Sequence, residues 1–124
     1  MDAAAHLEIT ATHCRVRLPD TVSLVEAAEL VARAIAYCRD RQFPKLLVDA
    51  SGLTKLAPPT LVDRFLMVED WAQEAQGVVI VAVVAPQKLI DPDRFGVKVA
   101  AHSGMRADIF ASEREAVAWL LAEG

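Results

Sequence analysis

A chain of 124 residues is the size of one ordinary domain and can bury a single core without disulfides or metals to hold it. Hydrophobic residues make up 54% and aromatics only 6%, which excludes disorder and suits close helix-on-sheet packing by Ala, Val and Leu. The formal net charge of -4, with basic residues scattered singly, gives no electrostatic reason to bind nucleic acid or an anionic lipid surface.

Leu7, Glu8, Ile9, Thr10 and Ala11 alternate, as do Cys14, Arg15, Val16, Arg17 and Leu18. Each run reads as a half-buried strand, and the short gap predicts an antiparallel hairpin, although Thr12 and His13 supply no Gly for its turn. Ser23 and Glu26 have capping-box spacing at the start of a first helix. Leu24, Ala28, Val31, Ile35 and Cys38 recur on one side of it, and Glu29 and Arg33 form an i,i+4 pair on the other. Leu46 to Asp49 is a third strand, which Ser51 and Gly52 turn. Pro58 and Pro59 suit the first turn of a second helix, where N–H groups lack intrahelical partners. Leu61, Phe65, Val68, Ala72 and Ala75 form its expected buried stripe, and Gly77 its left-handed C-terminal cap.

Residues 78–84, VVIVAVV, do not alternate at all, which predicts a strand covered on both faces in a parallel sheet. Residues 86–104 give the weakest pattern, because Gly96 interrupts it. Asp91 and Pro92 read there as a cap and first helical residue, with Phe95, Val99 and His102 on one side and Gly104 at the end. Ala107, Asp108, Ile109 and Phe110 make a last strand. Ser112 and Glu115 repeat the capping-box spacing before a final helix marked by Ala116, Val117, Leu120 and Leu121. The order ββαβαβαβα predicts an α/β fold with a mixed, mostly parallel sheet of about five strands packed with about four helices. Residues 1–124 show no linker, repeat or domain boundary.

That order, the element Leu47-Val48-Asp49-Ala50-Ser51-Gly52-Leu53, and the ending Asp108-Ile109-Phe110 followed by Glu115-Ala116-Val117-Ala118-Trp119-Leu120 resemble the SpoIIAA-like proteins. These are related to the STAS domain, the fold of bacterial anti-anti-sigma factors. The likeness runs through nearly the whole chain in order and spacing, while its specific motifs are short. It implies a non-enzymatic regulatory or protein-interaction domain, a homodimer, and a protein partner that the sequence does not name. In phospho-switched members a loop Asp-Ser-Ser-Gly-Leu opens the second helix, and a partner kinase that is also the anti-sigma factor phosphorylates its Ser. Laid on that pattern, Ala57-Pro58-Pro59-Thr60-Leu61 occupies the loop. Ala57 stands in place of the Asp and two prolines replace the serines, so the phosphoacceptor is missing. Thr60 keeps a hydroxyl at the Gly position. Small members have also been likened to the SEC14-type lipid-binding fold, which implies an alternative role as a binder of a small apolar ligand or lipid.

The switch-loop candidates are therefore Asp49, Ser51, Pro58, Pro59 and Thr60. Asp49 and Ser51 do not make a hydrolase elbow, which needs Gly-x-Ser-x-Gly, because Gly52 follows Ser51 directly. A turn in which Asp49 or Ser51 accepts backbone N–H bonds is the expectation. His6, His13 and His102 share no helical face, and Asp91 and Asp93 lie at a helix start where carboxylates are favoured anyway. The five glycines stand singly, so there is no phosphate loop. No catalytic residue, metal site or cofactor is expected.

Met67 and Trp71, spaced i,i+4 and lying off the expected stripe with Leu66 beside them, are the candidate interface or ligand face. Broad burial, self-association and a ligand cleft all remain open for them, and Trp119 reads as packing. Cys14 and Cys38 fit no metal or redox spacing and read as small core residues, with nothing to support a disulfide between them. Residues 1–6 carry neither a basic region nor an apolar signal core, and residues 78–85 are too short an apolar run to cross a bilayer. A cytoplasmic protein without a membrane span is expected.

Overall fold

A computed structural model describes residues 6–123; residues 1–5, on which most of the leader reading rests, and the terminal Gly124 lie outside the described residues. β1 (Leu7–Ile9) and β2 (Cys14–Arg17) pair antiparallel. Their turn manages without Gly because the Thr10 hydroxyl donates to the His13 carbonyl at 2.7 Å and accepts the N–H groups of Thr12 and His13. α1 (Leu24–Asp40) starts in the reciprocal capping box of Ser23 and Glu26. β3 (Lys45–Asp49), β4 (Ile80–Val84) and β5 (Ala107–Phe110) follow in parallel with β2, and the sheet order repeats the chain order from β1 to β5. The α/β order ββαβαβαβα is as the sequence predicts.

Alternation along the interior strands assigns each side chain to one of two layers. Leu46, Val48 and Val81 face α1, α2 (Leu61–Ala75) and α3 (Phe95–His102), whereas Leu47, Ile80, Ala82 and Val84 meet Ala116 and Leu120 of α4 (Glu113–Ala122). Residues 78–84 lack a polar period because both faces of β4 are covered. The strand itself is shorter than that run: Val78 is 57% exposed and precedes it. On the α4 side, Trp119 packs on Phe110 with ring centroids 5.9 Å apart. Among the described residues no helix is long and apolar enough to cross a membrane.

Helix starts and faces differ from the sequence expectation in four places. α2 begins after Pro58 and Pro59, with Thr60 as N-cap in a capping box with Asp63. The residue before a proline is pushed to extended backbone, so Pro58 and Pro59 lead into the helix rather than form its first turn. The inner face of α2 is also rotated. Val68, Ala72 and Ala75 are buried as expected, but Leu61 and Phe65 are exposed, and Arg64, Met67 and Trp71 turn inward instead. α3 starts at Phe95, not beside Pro92; Arg94 is its N-cap in a left-handed conformation, and the Asp91 carboxylate reaches across to accept the Phe95 N–H at 2.8 Å. His102 lies on the exposed side of α3, away from buried Val99. α2 ends as Gly77 suggested, through left-handed Gln76 and Gly77.

Cys14 of β2 and Cys38 of α1 are both free and buried. Burial pushes the Cys38 thiol up to about 12, with the neighbouring Cys14 adding to the effect. Since the thiolate is the nucleophile, the folded protein at pH 8 should resist iodoacetamide at both cysteines, and both should alkylate in denaturant. The folded state holds a proton that the unfolded state gives up near pH 9, so this contribution is intact below pH 9 and is lost as pH rises toward 12. Stoichiometric labelling of folded protein at pH 8 would contradict this placement.

Candidate functional site

The three helices on one face of the sheet do not close fully over it. A cavity of about 140 Å³ remains. Its floor is the row Val48, Val83 and Ile109, which pair across β3, β4 and β5. Its walls are Leu24 and Ala28 of α1, Met67, Val68 and Trp71 of α2, and Gly96 and Ala100 of α3. Small residues make the space. A Cβ built on Gly96 would stand 3.6 Å from Val68 Cγ2, an ordinary contact, so the missing methyl leaves room there. The Trp71 indole bridges two walls, its Nε1–H donating to the Ala28 carbonyl at 3.0 Å. A buried Trp usually finds such a partner, and this one fixes the ring as part of the wall.

Polar groups gather beside the starts of α2 and α3. Arg64, Asp91, Arg94 and Asp108 all line the cavity at that rim. Arg64 donates from Nε to Pro59 O at 3.2 Å and from Nη1 to Leu89 O at 3.1 Å, tying the β3–α2 loop to the segment after β4. Lys88 Nζ adds a bond to the Thr54 carbonyl across the same gap. Arg94 pairs with Asp108 and donates to Ile109 O at 3.0 Å. Asp91 is held by the Phe95 N–H.

The candidate residues from the sequence fall into separate places. Asp49 and Ser51 form the expected turn: Asp49 Oδ1 accepts the Ser51 N–H at 3.0 Å and the Ser51 hydroxyl at 2.6 Å. Asp49 Oδ2 accepts Arg15 Nη2 at 2.6 Å, and Arg15 also reaches Glu113 at 2.8 Å. This knot joins β2, β3 and α4, and neither Asp49 nor Ser51 lines the cavity. Pro59 does line it, Thr60 caps α2, and Pro58 is exposed. Met67 and Trp71 share the cavity wall, while Leu66 points the other way with Leu61, Val62 and Phe65. Among the described residues no group of three or more His, Cys, Asp and Glu side chains converges as a metal would require.

Sequence reasoning missed Leu24 and Ala28 as walls, the small residues Gly96 and Ala100, and Arg64 at the rim. The one available signal was Arg64 itself, a charge one helical step from Val68 on the face that turns inward. Compared with protein-family models, curated proteins and solved structures, the chain matches none.

Asp49 is the one buried charged residue among those described, so its partners carry stability. Arg15→Ala should cost about 1–3 kcal/mol, the usual range for stranding a charged hydrogen-bonding group, and Ser51→Ala less. Urea unfolding measures both. An Arg15→Ala protein as stable as the parent would show that the knot is idle.

Proposed function

We propose that this chain is a non-enzymatic, cytoplasmic binding domain on a SpoIIAA/STAS-like scaffold, and that it holds a small apolar molecule in the cavity under α1, α2 and α3. The cavity carries this reading. It is close in size to an engineered apolar void of about 150 Å³ that stays dry and takes up benzene. At about 24 cal/mol per Å³ of void, 140 Å³ represents roughly 3 kcal/mol of lost packing that a ligand can restore. Apolar filling alone then gives weak binding, since even a millimolar Kd takes about 4 kcal/mol.

Benzene is the simplest probe, and a thermal melt is the simplest readout. The melting temperature of the parent should rise with benzene. Ala100→Leu, which places a side chain into the space, should melt no lower than the parent and lose the benzene response. No response in the parent, or an undiminished response in Ala100→Leu, would overturn the proposal.

A second reading, the regulatory and protein-interaction role that the family resemblance implies, has its own support. The outer side of α2 presents Leu61 (56% exposed), Val62 (67%), Phe65 (40%) and Leu66 (56%) side by side. Monomeric proteins seldom leave such a cluster in water, and aromatic and aliphatic anchors of this kind seat partners. In this reading α2 joins two copies, and the loop with Pro58 and Pro59 works without a phosphorylated Ser. Sedimentation should find a dimer that the double change Leu61→Ser, Phe65→Ser converts to monomer at an unchanged melting temperature. A monomeric parent protein would remove this reading.

A further inference from the structure

Among the described residues four arginines are half-buried: Arg15, Arg39, Arg64 and Arg94. Three of them sit in ion pairs, Arg15 with Asp49 and Glu113, Arg39 with Asp40 and Glu74, and Arg94 with Asp108. Arg64 is the exception. It bonds only to the carbonyls of Pro59 and Leu89, through Nε and Nη1, and Nη2 has no partner among the described residues. A guanidinium offers five N–H donors in a planar fork that matches a carboxylate. Taking such a cation half out of water is unfavourable unless an anion meets it.

The position of Arg64 says what that anion is attached to. The same side chain lines the apolar cavity, between Met67 and Val68 of its own helix and Pro59 of the loop. The other rim cation, Arg94, is neutralised by Asp108, and Asp91 is occupied in capping α3. An apolar chamber whose rim carries a guanidinium that no carboxylate contacts among the described residues suits a molecule that is apolar along its body and anionic at one end.

We propose that the ligand is a short aliphatic or aromatic carboxylate, its body in the cavity and its carboxylate on Arg64. This inference rests on the cavity being a ligand site and adds the class of molecule. A void that accepts benzene accommodates a body of about six carbon atoms. The charged contact supplies the affinity that filling the void alone lacks.

Hexanoate and 1-hexanol test it, because they share a body and differ in the charge at one end. Titrated calorimetrically at pH 7, hexanoate should bind the parent protein at least about tenfold more tightly than hexanol, a free-energy difference of roughly 1.4 kcal/mol. Raising the salt concentration should weaken hexanoate and leave hexanol unchanged. Arg64→Gln should erase the preference while keeping hexanol binding, and Arg64→Lys should restore part of it. If Arg64→Gln does not fold, Arg64→Lys and the salt series still decide, since Lys keeps the charge without the fork. Hexanol binding as well as hexanoate in the parent overturns the carboxylate inference and leaves the cavity reading standing. Binding of neither, together with no benzene response, overturns both. Long-chain palmitate binding more tightly than hexanoate would overturn the short-ligand assignment and point to a lipid acyl chain.

Discussion

Strands β3 and β4 are flanked on both edges by other strands and covered on both faces by helices, so Leu46, Leu47 and Val48, like Val81 and Ala82, are buried. Burying that apolar surface is the dominant favourable term in a domain of this kind, at about 25 cal/mol per Å². Where β3 must end, a polar residue is needed, and Asp49 enters the interior there only because Arg15 and the hydroxyl and backbone N–H of Ser51 meet its carboxylate. The chain can then turn and start the loop that leads to α2. A parallel sheet demands such a crossover after every strand, which is why the loops bearing Pro59 and Leu89 collect at one edge, beside the cavity.

The two layers are unequal. One helix covers one face, and its contact with Leu47, Ile80 and Ala82 is filled by Ala116 and Leu120. Three helices share the other face, and the positions where they approach it are occupied by Ala28, Gly96 and Ala100 as much as by large side chains. Helices set close by small residues meet well with each other but leave space above the sheet. The cavity is thus a product of where the chain spends its alanines. Arg64 belongs to the same design, since a helix whose inner face carries Arg, Met and Trp in place of Leu and Phe is fitted to a chamber rather than to a closed core.

Much of the fold was legible because it is local. Ser23 with Glu26 announces α1, strict alternation marks β2, and the unbroken run in 78–84 declares a strand with two covered faces. The turn at Asp49 and Ser51 was equally readable, since its hydrogen bonds span only two residues. The face of α2 was not. Hydrophobic periodicity selects the stripe with the largest apolar residues, and in this helix those residues include Leu61 and Phe65 on the outside. Which stripe turns inward is set by α1 and α3, through contacts such as Trp71 Nε1 to Ala28 O across 43 positions of sequence. Arg64 was illegible for the same reason: its partner at Leu89 and its lack of a carboxylate exist only once the chain is folded.

The central claim is that an apolar chamber able to take up a small molecule lies between α1, α2, α3 and the sheet. Diffraction from crystals of the protein held under xenon pressure tests it most directly, because xenon seeks dry voids of this size. The account predicts one well-occupied xenon site bounded by Val48, Met67, Trp71 and Ala100, with the surrounding side chains unmoved. A structure in which Met67 and Trp71 have closed over Val48 and Ala100, leaving no site for the gas, would contradict it.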